Sequence, residues 1–315
     1  MDELDVKILR ALLSERAVAP SNSQVSSSLR SIAARLSTDD MTIHYRYKKL
    51  EESGAMSGWQ LLVNPMFFGY GLIDVTVDVQ PESGKQNMIR KLMLVHEVAG
   101  IYDFYGCAMK IVVMYGSEDS RIRTIELISR VTNAETMAQI RWALPGSRTS
   151  RLTQTDVAII RALAHDARRS SVEVARELGL SPRTVRNRIG KLREENTVFA
   201  LPVLNVGGIP GLILVVLSFS YSNHEAKAAV DRAMLSHFSA SYLTVEFADP
   251  ERGWIFLGAS TMMDVREFLE WAKSQPGVAS ARADILIKSM MFPEKRTELL
   301  ELRQERVPIE KKGPF

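Results

Sequence analysis

The 315-residue chain has a single cysteine, Cys107, so it can form neither an intramolecular disulfide nor a multi-cysteine metal site, and a reducing compartment is expected. It has no long apolar run. The longest, residues 212–217 (LILVVL), falls far short of the about 20 residues a membrane helix needs, so no membrane partner is expected. It has almost no excess charge: 40 basic against 37 acidic side chains leave +3, which excludes a histone-like polycation but leaves room for one basic module. The acidic start MDELDVKIL lacks the layout of a signal peptide, and a cytoplasmic location is expected. Glycine-rich phosphate loops, nucleophile elbows and paired-carboxylate motifs are missing too, so the motifs imply no cofactor, no metal and no enzyme. What is present is an ordinary globular composition, 46% hydrophobic and 24% charged, at a length that favours two or more domains.

The chain contains itself twice. LDVKILRALLSE resembles TDVAIIRALAHD with Asp5 on Asp156, and SIAARLSTDDMTIHYRYKKLEE resembles EVARELGLSPRTVRNRIGKLRE with Leu36 on Leu178 and Leu50 on Leu192. The offset drops from 151 to 142 between these matches, which puts an insert in the first copy, in the turn-rich residues 17–28. The match continues through Asn64 with Asn205 and Gly71 with Gly211. Within each copy, helical spacing (Leu4, Ile8, Leu12; Val157, Ile160, Leu163) gives way to β-rich segments. In the first copy the expected order is strand 72–79, helix 85–96, strands 101–105 and 110–115, helix 117–131 and strand 136–142. The second repeats it from 212 to 288, and a last helix covers 293–305. Strand, helix, two strands, helix, strand is the ferredoxin-like βαββαβ order. The fold class expected is therefore α+β, a tandem repeat of a helix-turn-helix module and a ferredoxin-like domain.

The second helical module carries the sharpest chemistry. Ser170 and Glu173 form an S-x-x-E capping box, Gly179 supplies a turn, and Ser181 caps a new helix with Pro182 at its first position. Two short helices across such a turn make a helix-turn-helix. Val185, Ile189 and Leu192 share one face of the second helix and should anchor it, leaving Arg183, Thr184, Asn187 and Lys191 outward. Arginine pairs bidentately with guanine edges and asparagine with adenine, so these four are the expected base readers. Ser181, Arg186, Arg188 and Arg193 are the expected phosphate contacts. Residues 147–200 hold eleven Arg and Lys against six Asp and Glu, a local +5. Residues 2–59 of the first copy hold eight of each. There Asp39 and Asp40 replace Ser181 and Pro182, and the outward residues become Thr42, Tyr45 and Lys49 with Arg46 at the flank. Contact with DNA and a packing role both stand open for this module.

The leading LDVKILRALL helix, IAARLS…TIHYRYKKLEESG and LLVNPMFFGYG, with TDVAIIRAL, SSVEVARELGLSPRTVRNRIGKL and PVLNV in the second copy, resemble the Lrp/AsnC transcriptional regulators. The resemblance runs from Asp2 to about Phe292. It implies double-stranded DNA as partner, a covalent pseudo-dimer of two unequal winged modules, homo-oligomerisation through the ferredoxin-like sheets and a small-molecule effector. The expected units are residues 1–62 and 147–204 (winged helix-turn-helix), 63–146 and 205–292 (ferredoxin-like), and 293–315 (C-terminal helix and tail). The family's effector turn, Gly-x-x-Asp, reads Gly106-Cys107-Ala108-Met109 here, with methionine where the acid would sit; the second copy offers Asp249. The alternative is an enzyme: sirohaem decarboxylases resemble the same family, and the candidate groups would be His44, His96, His165, His224 and His237, none in metal-ligand spacing.

Overall fold

A computed structural model describes residues 3–13, 29–80, 82–134, 136–142, 144, 152–205, 209 and 211–306; the expected insert at 17–28, the linker at 145–146 and the tail from 307 lie outside the described residues. The first helical module comprises α1 (Glu3–Leu13), α2 (Leu29–Arg35) and α3 (Asp40–Glu52), followed by strand β1 (Met56–Val63). The second comprises α6 (Gln154–Leu163), α7 (Ser171–Leu178), α8 (Pro182–Glu194) and strand β6 (Val198–Leu204). Between them run β2 (Gly71–Asp78), α4 (Lys85–Leu92), β3 (Val98–Phe104), β4 (Ala108–Tyr115), α5 (Glu118–Thr132) and β5 (Thr136–Arg141). After them come β7 (Ile213–Tyr221), α9 (Lys227–His237), β8 (Tyr242–Glu246), β9 (Arg252–Ala259), α10 (Met262–Ser274), β10 (Val278–Met291) and α11 (Pro293–Arg306).

The fold is α+β, and both sheet units carry the ferredoxin-like order. Strand alternation explains the layering. On β2, Ile73, Val75 and Val77 face the core beneath α4 and α5, while Leu72, Asp74 and Thr76 point to the other side. Strand order β5-β2-β4-β3 in the first unit is repeated as β10-β7-β9-β8 in the second. One long strand joins them: residues 278–285 of β10 pair with β7, and its last residues, from Leu286 to Met291, pair with β3, so all eight strands form one sheet. Among the described residues the far ends have no such ladder; there the backbone N–H of Arg141 donates to Asp249 Oδ2 at 3.2 Å. The inner faces of the two units meet in a shared core that also takes in both helical modules, with Trp142 and Trp254 edge to face at 6.2 Å.

The wing is likewise shared. Each helical module contributes one strand, and β1 pairs antiparallel with β6 across the repeat, from Met56 opposite Leu204 to Val63 opposite Val198. The other edge of β1 is also bonded, through Leu61 N to Ala164 O and Ala167 N to Trp59 O, to the loop after α6. The modules therefore hold one another. Arg10 of α1 reaches further, donating to the carbonyls of Tyr242 and Ser239 in the second sheet unit.

Candidate nucleic-acid interface

The second helix-turn-helix is built as its residues dictate. Ser170 accepts from Glu173 N while the Glu173 carboxylate accepts from Ser170 N, a closed capping box that holds this carboxyl below its usual range. Gly179 ends α7 at φ +66°, and Leu180 N returns to Ala175 O. Ser181 caps α8 through Thr184 N at 3.1 Å and shares a hydroxyl–hydroxyl bond with Thr184 at 2.8 Å. Val185, Ile189 and Leu192 are buried. Ser181, Arg183, Asn187 and Lys191 are exposed, with Thr184, Arg186, Arg188 and Arg193 half-buried beside them.

Two of the expected phosphate contacts, Arg186 and Arg188, and one expected base reader, Lys191, have protein partners of their own. Arg186 donates to Ser171 Oγ at 3.3 Å, which stations its guanidinium at the N-terminus of α7, where free N–H groups already favour an anion. Lys191 lies 3.8 Å from Glu195. Arg188 turns inward to Asp156 of α6 at 3.6 Å, where the aspartate is buried. The same pair recurs in the first module, Arg46 to Asp5 at 3.0 Å. Both arginines tie a recognition helix to its leading helix, a role that sequence position alone did not reveal, because each lies only at the flank of the outward face.

The first module presents a different surface on the same backbone. Asp39 caps α3 through Thr42 N, and the bonds to Thr42 hold its carboxyl below the usual range. Met41 and Tyr45 are 82% and 68% exposed, so the outward face carries large apolar groups where α8 carries Arg183 and Asn187. Lys49 is exposed, Thr42 half-buried, and Asp40 lies near Arg30 and His44. On its inner side α3 is bound to the other module. Tyr47 donates to Glu51 and accepts from Trp59 Nε1, and Arg168 bonds both Tyr47 and Glu51. Burial pushes the Tyr47 phenol up to about 12, so it remains a donor.

The expected effector residues do not come together. Gly106 takes φ +77° in the turn after β3, and its carbonyl, with that of Phe104, accepts from the buried Lys85 ammonium, itself paired with Asp103 at 2.7 Å. Lys227 repeats this clamp on Phe247 O in the second unit. Met109 is fully buried on the helix side of the sheet, and Cys107 is half-buried. Asp249 lies against β5, at the opposite edge of the first unit from Gly106, with Oδ1 accepting from Glu251 N and Arg252 N. The five histidines are also dispersed: all are exposed, and none lies in a metal-binding cluster among the described residues.

The inner faces of the sheet units differ sharply. In the first, Lys110 is buried 3.8 Å from buried Asp74, and burial pushes its ammonium below the usual value. The register places Lys110 opposite Thr76, and Phe256 opposite Val216. Aligning Gly71 with Gly211 therefore matches Lys110 with Phe256 and Asp74 with Leu214. A cross-unit bridge completes the charged zone: Arg282 binds Asp78 at 2.8 and 2.9 Å and Asp284 at 2.7 Å, and burial raises the Asp284 carboxyl. On the apolar side a cavity of about 330 Å³ opens between the β1–β6 ribbon and the second inner face, walled by Tyr102, Leu214, Leu243, Trp254, Phe256 and Leu286.

A sequence profile for the AsnC-type helix-turn-helix domain matches residues 152–193, the module with the basic outward face. Among curated proteins, an uncharacterized HTH-type transcriptional regulator of Pyrococcus abyssi is 33% identical over 110 residues, covering 33% of this chain and 68% of that relative. The HTH-type transcriptional regulator LrpA of Pyrococcus horikoshii is 35% identical over 83 residues, 26% of this chain and 52% of that protein; the match thus spans about two thirds of the first relative and half of the second. Among solved structures, the siroheme decarboxylase NirDL aligns over 97% of this chain and 99% of its own with a TM-score of 0.54 at 12% identity, a likeness of fold alone.

Proposed function

The chain belongs to the Lrp/AsnC family of helix-turn-helix transcriptional regulators, and from that premise we propose that α8 reads the major groove of duplex DNA while α3 plays a lesser part. The observation that carries this reading is the outward face of α8. Arg183, Asn187 and Lys191 stand free of the packed side, with Arg186 beside the capped start of α7. Such a face supplies base readers and phosphate contacts together. Arg188 and Arg46 enter as residues that set the pitch of each helix. Two unequal modules on one chain imply a target without equal inverted half-sites, since operator symmetry mirrors protein symmetry. The division at 62, 146, 204 and 292, a cytoplasmic location and association of further chains through the sheets belong to the same reading.

The test is duplex binding over a salt series, comparing the intact chain with Arg183→Ala/Arg186→Ala. The intact chain should lose affinity steeply with salt, by a log–log slope of about 0.9 for each phosphate neutralised. The variant should bind more weakly and with a shallower slope; identical slopes and affinities would remove α8 from the interface.

The fold likeness to a siroheme decarboxylase favours one second reading, an enzyme acting on a tetrapyrrole. Its substrate would bring several carboxylates. The cavity between the units is lined, among the described residues, by no Lys, Arg or His, and this weighs for the regulator.

A further inference from the structure

Most protein interiors hold few voids larger than a water molecule. The second space near the inner faces here, beside Trp142 and Arg296, measures about 20 Å³, room for a single water. The 330 Å³ cavity is of another order, about twice the roughly 150 Å³ that admits a benzene. Its wall is aromatic and uncharged. Tyr102 and Trp254 each stand 6.2 Å from the Phe256 ring at 55° and 72°, so three rings box one end. Trp254 cannot swing to fill the space: its Nε1 donates to Asp74 Oδ2 at 3.0 Å, and the Lys110 ammonium lies 4.8 Å from its ring centre. Met290 and Met291 supply adaptable walls, and Gln60, Thr244 and Ser289 supply a few polar atoms.

The wall also reaches both helix-turn-helix modules. Leu13 is the last residue of α1, and residues 201–204 belong to β6, the strand that follows α8. A molecule seated there touches the first module, the second module and both sheet units at once. We propose that this cavity is the receptor site for an uncharged, apolar small molecule with two or three fused aromatic rings, and that its occupancy adjusts the modules and so the affinity for DNA. The coupling rests on the DNA-binding function proposed above; the site itself does not. A carboxylate-bearing ligand is disfavoured by the wall, which among the described residues offers it no cation. The turn at Gly106 is a poorer receptor, because Lys85 already occupies its carbonyls.

The test uses the uncharged fluorophore N-phenyl-1-naphthylamine with the full chain. Saturable emission at one probe per chain is expected, displaced by 2-naphthol and not by 2-naphthoate. Leu243→Trp, which fills the cavity, and the gentler Leu214→Phe should each weaken the probe by about tenfold or more, a difference of about 1.4 kcal/mol, with circular dichroism and melting reporting that each remains folded. Absence of saturable binding to the wild-type chain, equal displacement by the naphthoate, or unchanged binding in both folded variants overturns the site. Duplex affinity is then measured with and without saturating probe, and a shift of about threefold or more is expected. Probe binding with unchanged DNA affinity overturns the coupling. Probe binding by a chain that takes up no duplex under any condition leaves the site standing and removes the DNA-binding reading instead.

Discussion

Helices α3 and α8 rest on one scaffold. Each packs three residues inward, Ile43, Tyr47 and Leu50 against Val185, Ile189 and Leu192. Each ties an arginine to the aspartate of its leading helix. Each is followed by a left-handed residue, Gly54 in one and Asn196 in the other. Their outward faces share Thr42 with Thr184 and Lys49 with Lys191 but differ between them: Met41 and Tyr45 stand out on α3, Arg183 and Asn187 on α8. The sheet units repeat the lesson from inside, with Asp74 and Lys110 in the first where Leu214 and Phe256 stand in the second. Backbone geometry demands the buried contacts and caps, and both copies keep them. The exposed face and the inner face of the sheet are under no such demand, and there the copies carry different chemistry.

The largest effect should come from breaking the charged inner face. Lys110→Met leaves buried Asp74 without its cation, and a stability loss of about 3–5 kcal/mol at neutral pH is expected in urea unfolding. Two groups set the pH dependence. Burial raises the Asp284 carboxyl, so its contribution is complete below its unfolded value and lost as pH rises through the raised folded one. Lys110, lowered by burial, contributes above its unfolded value and loses that contribution as pH falls through the folded one. Removing Lys110 leaves only the carboxyl's sense, so the deficit should shrink in mild acid. A deficit below about 1 kcal/mol, or one that grows in acid, would make this pair a bystander.

Next come the recognition helices. Arg183→Ala should cost about 1–3 kcal/mol on a specific duplex, whereas Tyr45→Ala should stay within about 0.5 kcal/mol. Equal losses, read by fluorescence anisotropy, would make the two modules equivalent readers. The shared ion pair sharpens the likeness: Arg188→Ala and Arg46→Ala should each lower stability by about 1–2 kcal/mol, since each removes a cation from a buried aspartate at the root of its helix. A thermal melt in which only one of them matters would separate the scaffolds. The smallest effect concerns Ser37, which takes φ +51° where Gly179 takes φ +66° in the second copy. Ser37→Gly should raise stability by about 1 kcal/mol or less; a loss would mean that the serine side chain is needed there.

The helix-turn-helix was legible because its signals are local. Ser170 with Glu173, Gly179, and Ser181 with Pro182 act within a few residues of themselves, and each does what its chemistry predicts. The βαββαβ order was legible for the same reason, through alternation on β2 and the turn residues between strands. The roles of Arg46 and Arg188 were not, because the helical wheel places them at a flank and only the packing of α1 and α6 turns them inward. Lys85 and Lys227 gave no signal either: each is one more basic residue at a helix start until the turn carbonyls are seen above it.

The sequence alone shows the repeat, the caps and turn of the second helix-turn-helix, and a basic face on the second recognition helix only, because capping, periodicity and local charge act over a few residues. Three features come from packing instead: β1 and β6 share one ribbon, β10 runs from one sheet unit into the other, and Lys110 faces Trp254 across the space between them. Those pairings join residues well over a hundred positions apart, and no local preference selects such a partner. They form because each inner face must be buried, and the other copy's face lies close enough to cover it.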